Sequence, residues 1–193
     1  MHRKPLLDLL ARYEARHPEE ASCVGRIRSL VEARPECFER RCLPGHVTGS
    51  AFVVSPDGQR VLLVHHRKLG RWLQPGGHAD GDSDVAQVAL REAREETGLR
   101  ALTFLGPHGR GGEPFPVDVD VHAIPARPGE PSHEHHDVRF LLVAAAGEAT
   151  RVSEESHAVQ WCPLDALDRL GADESLLRMA RKSRALIASA RLG

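Results

Sequence analysis

The sequence predicts an α/β fold in which helices cover both faces of a mixed β-sheet. Apolar stretches with strand character lie on both sides of an amphipathic helix near residues 84–97, and helical segments occupy both ends of the chain. At 193 residues, the chain is long enough to bury a sizeable single core. The alternation of element types therefore indicates a layered sandwich.

The first part of the chain predicts two helices, at residues 3–16 and 19–33. Apolar residues recur at helical spacing in both segments, and Pro35 ends the second. We therefore divide the chain into an N-terminal helical extension, residues 1–42, and a second unit, residues 43–193. The extension either adds core to that unit, which we favour, or serves as a specificity cap or dimer contact.

The rest of the chain alternates between strand and helix patterns. Two segments rich in Gly, Pro and His are predicted to be long loops, residues 106–116 and 125–136. The basic side chains of the last helix are expected to face solvent. Strands are predicted at 46–55, 60–66, 102–105, 117–124, 138–145 and 159–161, and helices at 84–97, 163–170 and 174–190.

The composition argues against membrane and nucleic-acid partners. The net charge is -1, and no apolar run approaches the length of a membrane-spanning helix. The four cysteines lack metal-binding spacing, and no signal peptide is evident, so a reducing cytoplasm is the expected location. We expect no membrane partner and no nucleic-acid polymer, and leave a homodimer open.

The most informative segment is residues 76–99, GGHADGDSDVAQVALREAREETGL. Glu92, Glu95 and Glu96 are spaced i, i+3, i+4, so a helix places them on or near one face. Repulsion between Glu92 and Glu96 costs an isolated helix about 0.2–0.5 kcal/mol, and a cation between them reverses the sign. The pattern therefore predicts a site for a hard divalent ion. The alternative is an exposed helix with an Arg91–Glu95 ion pair.

This segment resembles the signature of the Nudix hydrolase superfamily: Gly, five residues, Glu, seven residues, then Arg-Glu-aliphatic-any-Glu-Glu-any-Gly-aliphatic. Two positions depart from it, because Ser83 replaces the first Glu and Ala93 is smaller than the usual aliphatic residue. Asp82 and Asp84 flank Ser83 and are candidates to replace the missing carboxylate. The aligned positions are Gly77, Ser83, Arg91, Glu92, Ala93, Glu95, Glu96, Gly98 and Leu99.

The resemblance implies a Nudix-type α/β/α sandwich with its active site on a loop-helix-loop. It implies a hydrolase that uses Mg²⁺ or Mn²⁺ to cleave a pyrophosphate bond in a small nucleotide-type substrate, a nucleoside diphosphate linked to another group. One alternative is a non-catalytic module that senses a nucleotide or metabolite, which the departure at Ser83 favours. Isomerase chemistry on an isoprenoid diphosphate ranks lower, because its catalytic Cys has no evident counterpart.

The resemblance also implies roles for individual residues. Glu92 and Glu96 are the main expected metal ligands, and Glu95 is expected to share ions or act on the attacking water. Arg91 is expected to orient a carboxylate, so the catalytic set is Arg91, Glu92 and Glu95. Close to substrate phosphates we place the glycine turn, Gly76, Gly77 and His78. Arg67, which precedes the turn, either contacts a substrate phosphate as well or lies at a solvated strand end.

A further carboxylate is expected beyond the motif, as in many members of this superfamily. Glu134 and Asp137 are the candidate metal ligands, within a segment that also contains His133, His135 and His136. This segment has three interpretations: a mobile loop that contributes a ligand or base, a histidine-based transition-metal site that includes His122, or a polar loop at a strand end.

Overall fold

The computed structural model describes residues 2–190. Its helices are α1 (Lys4–Arg16), α2 (Ala21–Ala33), α3 (Val85–Thr97) and α4 (Glu174–Ala190), with short 3-10 turns at Pro18–Glu20 and Asp168–Leu170. Its strands are β1 (Gly45–Val54), β2 (Arg60–His66), β3 (Arg71–Leu73), β4 (Gly76–His78), β5 (Leu102–Gly106), β6 (Gly109–Arg110), β7 (Pro116–Ile124), β8 (His133–Ala144) and β9 (Ser156–Pro163).

The strands form one mixed sheet centred on β1 and β8. These two strands run parallel over their shared length, from the pair Gly45–Glu134 to the pair Val54–Val143. The other edge of β1 is shared by β2 and β4, and the other edge of β8 by β5 and β7, all antiparallel. Strand β9 pairs with β2, so the segment before β9 is brought beside the end of β2.

Helices cover both faces of this sheet, as the sequence predicted. Successive residues of a strand face opposite sides, so Ala51 packs in the core under α3 whereas Phe52 packs under α4. Within residues 2–190, no helix combines the length and apolarity needed to cross a bilayer. The predicted α/β/α sandwich with N-terminal helices is confirmed.

The N-terminal helices contribute to the main core. Leu10 and Tyr13 of α1 and Val24 and Ile27 of α2 are fully buried in the same cluster as α3. This packing accords with the interpretation of the extension as additional core. The division of the chain at residue 42 stays a prediction.

The largest difference from the predicted elements is the length of β8. It begins at His133, so the histidine-rich segment predicted as a loop pairs with both β1 and β7. Its polar residues break the apolar pattern from which strands are recognised, yet His133, His136, Asp137 and Arg139 are buried. Nor were the short strands β3, β4 and β6 predicted, and residues 163–170 contain a 3-10 turn where a helix was expected.

A buried charge network joins α4 to the sheet. The Arg178 guanidinium donates to Asp118 at 2.8 Å and to Asp120 at 2.9 Å, and the Lys182 ammonium donates to Asp118 at 3.0 Å. The prediction that the basic residues of α4 face solvent is therefore wrong for Arg178 and Lys182. Their acidic partners lie about 60 positions earlier in the chain, so helical periodicity could not reveal them.

Candidate active site

Local sequence and close packing place the motif helix α3. The Asp84 side chain caps it by accepting the Gln87 N–H at 3.2 Å, and Gly98 ends it in the left-handed conformation, with φ of 76°. Gly49 lets the helix lie directly on β1, because a Cβ there would be 2.8 Å from the Val85 carbonyl oxygen. The helix is thereby held with its glutamates beside β4.

The glycines of β4 lie against two carboxylates of α3. A Cβ on Gly77 would come within 2.5 Å of the Glu92 carboxyl carbon, and the Gly76 N–H donates to the Glu96 carboxylate at 3.3 Å. The structure therefore brings together Gly76, Gly77, Glu92 and Glu96. Glycine at position 77 allows the strand backbone to approach Glu92 this closely.

Both carboxylates are shielded from water. Glu96 is only 7% exposed, and burial together with the charges of Glu92 and Glu155 raises its pKa to about 8. Burial also raises the pKa of Glu92, although the hydrogen bond from Arg91 opposes this shift. Glu95 is exposed on the same helix. A partly buried group of carboxylates that disfavour one another's charge fits a divalent cation, which would offset the repulsion.

Arg91 links α3 to β4. Its guanidinium donates to the His78 carbonyl and to the Glu92 carboxylate, both at 2.9 Å. The structure thus pairs Arg91 with Glu92, whereas the alternative of an ordinary exposed helix paired it with Glu95. The hydrogen bond with Glu92 is the main cause of the raised Arg91 pKa, and the charge of Asp82 contributes to it. Asp82 therefore supplies negative charge near Arg91 that Ser83 lacks.

Sequence reasoning missed Glu155. This exposed residue lies in the turn before β9, and its negative charge raises the pKa of both Glu92 and Glu96. Arg67 holds the turn, since its backbone N–H donates to the Glu155 carbonyl at 3.0 Å and its Nε to the Ser156 carbonyl at 2.9 Å. The pairing of β2 with β9 brings Glu155 near Glu92 and Glu96, and no local sequence motif predicts this proximity.

The two carboxylates predicted beyond the motif have other partners. Asp137 is 1% exposed and accepts hydrogen bonds from Thr48, Ser50 and Arg139. Glu134 accepts a hydrogen bond from Arg26 at 2.7 Å. Within residues 2–190, the hydrogen-bond and ion-pair partners of Glu134 and Asp137 do not include the α3 glutamates.

The side chain of His78 lies apart from the carboxylates. It alternates with Gly77 along β4, so it projects from the opposite face of the strand. Its ring lies 5.0 Å from that of His46 and 5.2 Å from that of His135, measured between centroids. Only the backbone carbonyl of His78 reaches Arg91.

Replacing Gly77 with Ala is expected to lower catalytic efficiency about 10²-fold, because the new methyl group displaces Glu92 and small misplacements of catalytic groups carry this cost. Steady-state kinetics with Mg²⁺ measure the effect. Gly25→Ala is the matched control, since a Cβ at Gly25 meets nothing within 4 Å. Equal activity of Gly77→Ala and wild type would contradict the assigned contact.

Comparisons with known proteins show which family this chain resembles. Residues 45–183 match the family model described as the NUDIX domain. Over 122 residues the chain is 32% identical to CMP-5'-(N-acetyl-N-hydroxy-3-aminopropyl)phosphonate hydrolase of Streptomyces rubellomurinus, covering 61% of this chain and 52% of that protein. It is 43% identical over 51 residues to putative 8-oxo-dGTP diphosphatase 3 of Mycobacterium tuberculosis, covering 24% of each. The chain thus spans about half the length of the first relative and less of the second.

The fold also resembles solved structures. A C. elegans Ap4A hydrolase binary complex superposes with a TM-score of 0.58 at 19% identity, covering 74% of this chain and 98% of that one. At this identity the likeness concerns the fold alone. Since the family model spans most of the chain and the motif residues assemble as described, the chain belongs to the NUDIX family.

Proposed function

We propose that this chain is a divalent-metal-dependent pyrophosphohydrolase whose substrate is a nucleoside diphosphate linked to another group. The observation that carries the proposal is the shielded pair Glu92 and Glu96, packed against the side-chain-free backbone of Gly76 and Gly77. Family membership supports it, as do the hydrolase and diphosphatase names of the relatives.

The residues present fit Mg²⁺ or Mn²⁺, with Glu92 and Glu96 as principal ligands and Glu95 and Glu155 at the exposed edge. The bound ion would neutralise phosphate charge and lower the pKa of the attacking water. We assign the exposed Glu95 to proton removal from that water. Glu134 and Asp137 remain weaker candidates, because their oxygens already serve Arg26 and Arg139.

The other residues position these groups. Arg91 holds Glu92 at a fixed distance from β4 through its two hydrogen bonds. Gly77 lets β4 pack against Glu92, and Gly76 holds Glu96 through its N–H; both stay proposed neighbours of the substrate phosphates. Arg67 supports the turn that carries Glu155, so we assign it a positioning role besides its proposed phosphate contact. His78 contributes to substrate binding through its backbone in this scheme.

A substrate panel tests the proposal. It contains dNTPs, 8-oxo-dGTP, ADP-ribose, NADH, nucleotide sugars, dinucleoside polyphosphates and CMP-linked phosphonates, each with Mg²⁺ or Mn²⁺. We expect turnover of at least one class, abolished by chelation of the metal and in the variant Glu96→Gln. The 8-oxo-dGTP and CMP-linked compounds are chosen because relatives are named for such substrates. Absence of turnover for every compound of the panel would contradict the proposed pyrophosphohydrolase activity.

A non-catalytic sensor is the second candidate. Ser83 favours it, because a hydroxyl cannot replace the negative charge of the Glu expected there. Tight binding of one panel compound without turnover, with activity gained in Ser83→Glu, would support the sensor. The partial replacement of that charge by Asp82 favours the enzyme.

Replacing Glu155 with Gln is expected to raise the Mg²⁺ concentration for half-maximal activity about 10–100-fold, the range seen when outer metal-site groups are lost. The matched control is Glu154→Gln, which removes a neighbouring exposed carboxylate from the same turn. Metal titrations of turnover compare the two variants. An equal change in the Mg²⁺ requirement of both variants would show that Glu155 does not contribute to metal binding.

A further inference from the structure

His46 is a buried histidine whose ring nitrogens have no well-formed hydrogen bond within the described part of the chain. The residue is 1% exposed, and neither ring nitrogen has a partner of acceptable geometry among residues 2–190. The backbone of Cys42 lies near the ring without meeting that geometry. Buried polar atoms are normally satisfied, and leaving one unpaired costs about 1–3 kcal/mol. The ring is therefore arranged for a partner other than a side chain.

Strand pairing surrounds His46 with further imidazoles. In the sheet register His46 lies opposite His135 of β8, and His78 lies opposite Thr48, two residues along the same face of β1. The three ring centroids are 4.9–5.2 Å apart. One ring nitrogen from each lies within 4.8 Å of the other two. Three strands distant in sequence thus bring three nitrogen ligands to one point.

The electrostatics favour neutral rings, in which one of the two nitrogens carries a lone pair. Burial is the largest cause that lowers the pKa of His46, to about 4, and it also lowers those of His78 and His135. Neutral imidazole is the form that binds a metal, and it suits Zn²⁺ and similar transition ions over Mg²⁺. Tetrahedral Zn²⁺ has Zn–N distances of about 2.0–2.1 Å, so its ligand nitrogens lie about 3.3 Å apart. The three nitrogens would therefore have to draw together by as much as about 1.5 Å to bind Zn²⁺.

His133 is a candidate fourth ligand. Its Nδ1 lies 2.9 Å from the Pro131 carbonyl, and because a carbonyl only accepts, this nitrogen carries the proton. Its Nε2 therefore has a lone pair, and it lies 3.4 Å from the His135 Nε2. The carbonyl contact is the kind that orients a metal-binding imidazole.

The charged groups around His78 have opposite effects on a cation. Arg40, which is exposed, lies 3.4 Å from the His78 Nδ1 through its guanidinium and must turn outward when an ion binds. Asp80 and Glu130 carry negative charge near the same ring. The aspartate and glutamate would offset part of the added positive charge.

We infer that His46, His78 and His135 form a binding site for a transition-metal ion such as Zn²⁺, separate from the carboxylate site. This set differs from the one weighed from sequence, which grouped His133, His135 and His136 with His122. In the fold, His136 contacts Glu134 at 3.3 Å instead. An ion on His78 would anchor β4, the strand whose Gly77 lies against Glu92.

The test is titration of the full chain, purified without a polyhistidine tag and stripped of metals. Calorimetry with Zn²⁺ in excess Mg²⁺ is expected to show one ion bound per chain. His135→Gln is expected to weaken this binding at least about 100-fold, the upper range for losing even an outer group. His108→Gln, an exposed histidine elsewhere, is the matched control and should bind normally.

Two further measurements separate this site from others. The double variant Glu92→Gln, Glu96→Gln should keep Zn²⁺ binding. Co²⁺ should give the visible spectrum of a four-coordinate ion when added to wild type but not when added to His135→Gln. His78→Gln, a change at a partly exposed ring, repeats the test if His135→Gln unfolds. No stoichiometric binding, or binding lost with the glutamates and kept without the histidines, would overturn the inference.

Discussion

Replacing Glu96 with Gln is expected to lower kcat about 10²–10³-fold, the loss typical of removing one preorganised electrostatic group. The substitution keeps the shape of the side chain and an acceptor for the Gly76 N–H, but removes the negative charge that would hold the metal. Loss of activity should therefore occur without loss of the fold.

The same variant has a testable effect on stability. Because the folded pKa of Glu96 is raised to about 8, ionisation is penalised in the folded protein, and stability falls as pH rises from the unfolded pKa of about 4.3 through 8. Without metal at pH 8 or above, Glu96→Gln should be at least as stable as wild type. Added Mg²⁺ should raise the melting temperature of wild type more than that of the variant.

Turnover and thermal melts at several Mg²⁺ concentrations measure both effects. Glu32→Gln, an exposed glutamate on α2, serves as the control and should match wild type in each. Wild-type kcat in Glu96→Gln, or an equal Mg²⁺-dependent shift in melting temperature, would rule out Glu96 as a principal metal ligand.

Replacing Arg139 with Met is expected to destabilise the protein by about 3–5 kcal/mol, the cost of removing one partner from a buried ion pair. Its side chain is 3% exposed and donates to Asp118 at 3.1 Å, Asp120 at 3.0 Å and Asp137 at 2.8 Å. Asp118 retains Arg178 and Lys182 after the change. Among the described residues, Asp137 then keeps the hydroxyls of Thr48 and Ser50 as partners, so its charge loses the cation that balanced it.

Chemical denaturation measures this loss. Arg181→Met removes an exposed arginine of α4 that pairs with the exposed Glu174, and should change stability by no more than about 1 kcal/mol. Equal stabilities of the two variants would mean that the buried network contributes no more than a surface pair.

The sequence alone determined the parts of this protein that depend on neighbours in the chain. The spacing of the motif glutamates, the cap at Asp84 and the stop at Gly98 are short-range features, so they predicted α3 and its carboxylates. Helical periodicity likewise predicted the N-terminal helices. Alternating apolar segments predicted most strands, and with them the sandwich.

Only the tertiary structure decided which distant residues meet. The pairing of β2 with β9 brings Glu155 to the motif glutamates, and the register of β1 with β8 brings His46 to His135. The same register brings Thr48 and Ser50, almost 90 positions earlier in the chain, to the Asp137 carboxylate. Strand register and the burial of charge depend on partners far away in the chain, and such partners leave no periodic signal in the sequence.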